Sequence, residues 1–300
     1  MNSLPDVTVV GCGKVGSSLA IQLKRLGWSI RGLASRRLAP AQALAGELGI
    51  DRATDTPWQV TTGAGVVFIT TPDDAIGPVC DAIAENHGFT PGTVVLHCSG
   101  AHPSTLLSAA AETGAAIGSL HPLQSFAAVS RDRNRFSGIV MAMEGMPEAV
   151  NTADKIANAL GARPLRLRTE GKTLYHAAAV VASNYLVSLL DVAMEMLVAS
   201  GIAEGEAFSV LAPLINGTLA NITACGTTEA LTGPIVRGDA DTVALHLDAL
   251  QSLRPHLLPA YRSLGRHAIG IARRKGGLPA EGLTALERLL TALPTDAPAA

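Results

Sequence analysis

The sequence predicts an α/β fold in which a doubly wound parallel sheet is followed by an all-helical region. Three observations carry that prediction. A β-branched run near the N-terminus breaks into spaced glycines and then into a helix-periodic stretch; short apolar runs alternate with helical segments up to about residue 168; and strand-like runs stop after that point.

The first strand is read at residues 7–10, all β-branched. Gly11, Gly13 and Gly16 follow, and Leu19, Ala20, Leu23 and Leu26 then recur at helical spacing. In a strand, turn and helix of this kind, glycines permit positive φ, bring backbone N–H groups close to a pyrophosphate, and let helix and strand pack closely. The phosphate then rests on the positive end of the helix. Gly11-Cys12-Gly13-Lys14-Val15-Gly16 is therefore a dinucleotide-site candidate. The second strand, 29–34, leads into Ser35-Arg36-Arg37, where the ribose 2′ substituent of a dinucleotide would lie. An NAD site places an acidic side chain there. Between Asp6 and Glu47 this chain has no Asp or Glu, but it has Lys14, Lys24, Arg25, Arg31, Arg36 and Arg37. A guanidinium and a hydroxyl fit a phosphate monoester, and a carboxylate would repel it, so the expected cofactor is NADP(H).

A helix over 39–48 is stopped by Gly49. Residues 66–69 form a continuous apolar run, as in a strand covered on both faces, and Thr71 and Pro72 at its carboxyl end join the cofactor-binding candidates. A helix over 74–86 leads to a strand at 93–97 and then to Cys98-Ser99-Gly100. A short strand is expected in the Ala/Gly-rich stretch before Gly118, and strands at 139–143 and 163–167 flank a helix that Gly161 ends. This order implies a Rossmann-type doubly wound parallel sheet, with ligand outside the carboxyl ends of its strands. Helices are then expected over 174–199, 204–223, 240–253, 256–274 and 281–293, with a frayed tail at 294–300. The expected domains are 1–168, binding NADP, and 169–300, all-helical, for substrate and dimerisation.

Composition sets bounds on function. A net charge of -2 and the lack of a basic stripe argue against a nucleic-acid partner. The first strand begins within a few residues of Met1, leaving no room for a signal peptide, so a cytoplasmic location is expected. The four cysteines are scattered, with neither metal-like pairing nor disulfide density. Residues 177–190 carry Ser183, Asn184 and Ser188 and fall short of the about 20 apolar residues a membrane span needs. They read as a central buried helix. Several helices apolar all round in about 130 residues call for a partner surface, which predicts a homodimer through the helical domain.

Hydride transfer needs an acceptor carbon placed over the nicotinamide, a proton donor and an anchor for the rest of the substrate. Lys172, His176 and Ser183 fall within about 40° of one another on a helix of 3.6 residues per turn, with Asn184 beside them. Lys172 or His176 could supply the proton and Asn184 could orient substrate or the nicotinamide carboxamide. His176 and Asn184 suit helix contacts or a dimer seam equally well. His121, held out of helical geometry by Pro122, could protonate a substrate oxygen or bond a loop carbonyl. Ser99 ends a strand on the cofactor side. Arg237, in the loop 232–239, could clamp a carboxylate or form a surface ion pair, while Asp239 suits a helix cap. His87, His97 and His102 have no metal-like spacing, and no metal is expected.

Taken together, Gly11–Gly16, His97-Cys98-Ser99-Gly100-Ala101, Ser119-Leu120-His121-Pro122-Leu123, Tyr175-His176-Ala177-Ala178 with Ser183-Asn184-Tyr185, and Thr232-Gly233-Pro234 with Arg237-Gly238-Asp239 carry a family resemblance. Over nearly its whole length the chain resembles the 6-phosphogluconate dehydrogenase-like superfamily. Within it, the chain is most similar to the Rossmann-like NADP oxidoreductases whose helical half is a domain of unknown function, a family that includes alternative ketopantoate reductases. The resemblance implies an NADPH-dependent reductase of a small 2-oxo acid, ketopantoate first, acting through Lys172, His176 or His121 and holding substrate with Asn184, Ser183, Ser99 or Arg237. It also admits reduction of a cyclic imine, as in pyrroline-5-carboxylate reductases, or a non-catalytic NADP-binding regulator. The related 3-hydroxyisobutyrate dehydrogenases carry two asparagines three and four residues after their lysine, where this chain has Tyr175 and His176.

Overall fold

A computed structural model describes residues 4–277 and 279–291. The chain divides into two compact units, Met1–Asn184 and Tyr185–Ala300. The first begins with β1 (Val7–Val10), α1 (Lys14–Arg25), β2 (Ile30–Ala34), α2 (Leu38–Leu48), β3 (Ala53–Thr54), α3 (Trp58–Thr61), β4 (Val66–Ile69), α4 (Asp73–Glu85) and β5 (Val94–His97). It continues through α5 (Ser108–Glu112), β6 (Ala116–Pro122), β7 (Val140–Gly145), α6 (Pro147–Ala159) and β8 (Arg163–Arg166) to the start of α7 (Lys172–Ala199).

The strands form one sheet in the order β3-β2-β1-β4-β5-β6-β7-β8, parallel except where β7 turns back against β6. Its central strands β1, β4 and β5 are buried at every residue, because helices cover both faces and nothing on them needs to meet water. Chain order runs outward from β1 to β3 and returns to β4 on the other side of β1. This reversal opens a crevice at the carboxyl ends of β1 and β4. Gly49 ends α2 with φ of 62°, the left-handed conformation for which glycine pays no Cβ penalty. β3 and α3, two and four residues long, lack the length to show a periodicity. The strand expected before Gly118 extends through His121 to Pro122, so His121 stands on a sheet strand and not in a loop.

The second unit holds the rest of α7, then α8 (Glu204–Ala230), α9 (Pro234–Arg237), α10 (Ala240–Leu253), α11 (Leu258–Lys275) and α12 (Ala280–Thr291). Its core is built from Val243, Leu247, Leu250, Leu257, Leu258, Ile269, Leu286 and Leu290. α8 continues past the expected end at 223, and Gly226 interrupts it with φ of 76°. The loop expected over 232–239 contains the single turn α9. Asp239 caps α10 by accepting from the Thr242 N–H at 3.1 Å. Residues 292–293 of the last expected helix, and the tail 294–300, lie outside the described residues.

The expectation that residues 177–190 form a central buried helix is corrected. Of α7 only Lys172 is buried, and of α8 only Ala207. Both helices are long and apolar enough to cross a membrane by length and composition, because α7 extends the apolar run well past its expected limits. Val187 is 69% exposed, Phe208 55% and Leu214 68%.

Candidate active site

The glycine motif sits in the crevice at the carboxyl ends of β1 and β4, and its three glycines do different work. Gly11 has φ of 109° and runs so close to β4's end that a Cβ would lie 2.7 Å from the Thr70 carbonyl carbon. At Gly16 a Cβ would collide with the Gly11 carbonyl oxygen and the Thr70 hydroxyl, so this glycine lets α1 lie against the strand. Gly13, just before α1, faces open space, with no heavy atom within 4 Å of where a Cβ would be. No side chain caps α1 and no acidic residue stands in its first turn, so its N–H groups and dipole are available to an anion.

The crevice opens into a cavity of about 640 Å³ lined by Gly11, Cys12, Gly13, Ser35, Arg36, Arg37, Thr71 and Pro72. The hydroxyl of Thr71 is buried there without a partner among the described residues. An open glycine cradle, an uncapped helix and an orphaned hydroxyl fit a dinucleotide pyrophosphate. Lys14 and Val15 stand in the first turn of α1, and their side chains do not line the cavity. Burial pushes the Cys12 thiol up to about 11, so it lines the cavity as an inert group. Asp55 and Asp74 line it too, carboxylates outside the stretch that the sequence argument covered. Asp55 follows Thr54, which pairs with Ala34, and so enters beside Ser35.

A second pocket, also of about 640 Å³, lies where β6 meets the start of α7. His121, Gln124, Ser125, Tyr175, His176, Ser183 and Asn184 supply its polar lining, and Leu123, Val180 and several alanines its apolar part. Among the described residues no lysine or arginine lines it. His121 Nδ1 lies 3.1 Å from the Tyr175 hydroxyl. The His121 and His176 rings meet edge to face with centroids 5.9 Å apart. Burial, followed by the positive charge of Lys172, lowers the His121 imidazole to about 4, so it is neutral at neutral pH.

Lys172 is not in this pocket. It is 1% exposed, 3.2 Å from Glu144 Oε1, and donates to the Ser119 hydroxyl. Ser119 donates to Glu144 Oε1 at 2.6 Å. The Ser104 N–H and hydroxyl reach the two carboxylate oxygens at 2.9 and 2.8 Å, and Thr169 donates at 3.1 Å. Burial alone would raise Glu144, but the hydrogen bonds from Ser119 and Ser104 and the Lys172 charge hold it below the usual carboxylate range. Burial pulls the Lys172 ammonium below the usual lysine range. The polar stripe expected along α7 is therefore divided: Lys172 anchors the helix to β6 and β7, while His176 and Ser183 face the pocket. Sequence reasoning missed Glu144; the signal was a lone carboxylate closing the apolar run 140–143.

Ser99 lines neither cavity. Its hydroxyl donates to Asp73 at 2.9 Å and accepts from the Ala101 and His102 N–H groups, which locks the turn after β5. His97 braces the same turn: Nδ1 accepts from the Ser99 N–H at 3.1 Å, leaving Nε2–H to donate to the Pro103 carbonyl at 3.2 Å. Burial, then the Lys172 charge, lowers His97 to about 4. An unfolded histidine takes a proton near pH 6.5, and the buried ring does not. Stability is therefore full above that value and falls as the pH drops towards about 4, by up to about 3 kcal/mol for this ring. Urea midpoints at pH 7 and pH 5 measure the loss. Arg237 lies in the second unit, exposed and 3.6 Å from Asp239. No group of three or more potential metal ligands occurs among the described residues.

Residues 2–122 match the family profile of a Rossmann-like domain, and residues 139–268 match a domain of unknown function, DUF2520. No curated protein matches the chain in sequence. Among solved structures, protein TM1727 from Thermotoga maritima is 25% identical with a TM-score of 0.72, covering 90% of this chain and 99% of that one. The Bacteroides fragilis protein BF3122, assigned provisionally as an NADP oxidoreductase, is 24% identical with a TM-score of 0.70, covering 89% and 98%. A reductive aminase from Aspergillus terreus, in complex with NADPH and ethyl levulinate, is 17% identical with a TM-score of 0.56, covering 96% and 93%.

Proposed function

We propose that this chain, a Rossmann-like domain followed by a DUF2520 domain, is an NADPH-dependent oxidoreductase that reduces the carbonyl of a small 2-oxo acid, with ketopantoate as the leading substrate. One observation carries the reading. The dinucleotide crevice and the imidazole-lined pocket lie on the same edge of the parallel sheet, the first at the ends of β1 and β4 and the second at the end of β6. Gly11, Gly13 and the first turn of α1 would hold the pyrophosphate, and Arg36, Arg37 and Ser35 a 2′-phosphate. The bound cofactor supplies hydride. The chain's own part is to seat the acceptor carbon, exclude water with Leu123, Val180 and the alanines, and deliver a proton from the polar end of the pocket, where His121 and His176 stand.

The lack of a lysine or arginine on the pocket wall favours a second reading. A carboxylate there would rest on Ser125, Ser183 and Asn184, whereas an imine that carries no carboxylate needs no cation. The likeness to a reductive aminase points the same way. A steady-state screen of NADPH oxidation with ketopantoate, other 2-oxo acids, pyrroline-5-carboxylate and 1-pyrroline, the cyclic imine without the carboxylate, separates the two. NADPH binding without turnover on any of them would leave a regulator and overturn both.

The chain works as a homodimer through α7 and α8. Residues 207–228 of α8 hold no charged side chain, yet Phe208, Leu214 and Leu219 are exposed. Ser183, Asn184 and Ser188 in α7, and Asn216, Thr218 and Asn221 in α8, are spread through a surface that suits a protein partner better than lipid. Sedimentation without detergent is expected to give a dimer at micromolar concentration; a monomer, or a chain soluble only in detergent, would refute it. All four thiols are free, which suits the reducing cytoplasm.

A further inference from the structure

Tyr175, His121 and His176 form a unit that the preceding reading does not explain. Tyr175 and His176 are consecutive near the start of α7, and the His121 ring on β6 meets each of them edge to face. The floor beneath both imidazoles is the bare Cα of Gly100. A Cβ there would lie 2.5 Å from His176 Nδ1 and 2.8 Å from His121 Nε2, so this glycine is what lets both rings settle at the turn after β5. His176 Nδ1 is buried against this glycine without a partner among the described residues.

We infer that the Tyr175 hydroxyl is the proton donor of the reduction, with His121 Nδ1–H donating to its oxygen and so pointing the phenolic hydrogen into the pocket. This rests on the reductase reading above. In the step, hydride from the reduced nicotinamide bonds to the carbonyl carbon and the C=O π pair moves to oxygen. The phenolic O–H bond breaks as the new alcohol O–H forms. The phenolate left on Tyr175 keeps the His121 hydrogen bond and takes a proton from water after the product leaves. For an imine the same proton goes to nitrogen.

Two of the three donors read from the sequence, His121 and Lys172, are poorly suited to give the proton. With His121 lowered to about 4, only about one molecule in a thousand carries an imidazolium at pH 7. Lys172 is sealed behind Ser119 and Glu144. Burial pushes Tyr175 up to about 12, so it stays protonated through neutral pH and is still a stronger acid than the alcohol it creates. His121 is then a positioning residue and Tyr175 the catalytic one.

Tyr175→Phe keeps the ring and removes the hydroxyl. On whichever panel substrate the wild type reduces, kcat is expected to fall about 100-fold or more, with NADPH affinity within about twofold; retention of kcat within about threefold overturns the assignment. Nitrogen-resolved NMR of the histidine rings, which needs no substrate, tests the pair separately. At pH 6 His121 should be neutral with its proton on Nδ1, and Tyr175→Phe should shift that signal and leave His97 in place. A proton on Nε2, or a signal that Tyr175→Phe does not move, overturns the pairing. A wild type that reduces nothing on the panel overturns the reductase reading and the donor role with it, while the NMR result still decides whether the pair exists.

Discussion

Replacing Lys172 by methionine lowers unfolding free energy by about 3–5 kcal/mol, the cost of leaving a buried carboxylate without its cation. Methionine fills similar space, so the loss reports charge and not volume. Ser104, Ser119 and Thr169 still donate to Glu144 in the variant, but hydrogen bonds from neutral groups do not replace an ammonium 3.2 Å away. Pairing Lys172→Met with Glu144→Leu should recover much of the loss, because two apolar groups leave nothing uncompensated. Urea denaturation of the two single variants and the double one measures the coupling. The same variants address chemistry: folded Lys172→Met should keep kcat within about tenfold, whereas loss of a general acid would cost about 10²–10⁴-fold. A stable but inactive Lys172→Met would return the lysine to the reaction.

The double replacement Arg36→Ala, Arg37→Ala weakens NADPH by about 100-fold or more and leaves NADH nearly unchanged. Each charge-assisted hydrogen bond to a phosphate contributes about 1.5–3 kcal/mol, and two guanidiniums flank the cavity at the end of β2. Asp55 makes the experiment decisive. It enters beside Ser35 and repels a 2′-phosphate once the arginines are gone, but it can accept from a 2′-hydroxyl. Fluorescence titration of both coenzymes reads the ratio. Equal loss for both, or a wild type that prefers NADH, would show that these arginines do not grip the phosphate.

Much of the fold was legible because its signals are local. Glycine spacing, the apolar run 66–69 and Gly49 each act over a few residues, and the structure places β1, α1, β4 and the end of α2 accordingly. The site was legible only in part. His121 and His176 could be named as polar groups in apolar surroundings, but that they meet over Gly100 depends on β6 lying parallel to β5 and on α7 packing its first turn there, both long-range facts. Helical spacing placed Lys172 with His176 because periodicity describes angles about an axis and not what stands opposite. Glu144 stood opposite, 28 residues away in sequence, and decided the outcome. The central burial expected of α7 failed for a related reason. Apolar composition says that a helix avoids water, but not that its own chain supplies the cover.

The start of α7 both fastens the helix, through Lys172, and furnishes part of the wall of the pocket, through Tyr175 and His176. A fragment truncated where strands give way to helices, at residue 168, would retain the glycine-lined crevice but forfeit the imidazole-lined pocket and strand an acidic group in its interior. Modular swapping of the helical half onto another nucleotide-binding half must therefore carry a matching serine and glutamate on the recipient's strands, or the graft arrives without its rivet.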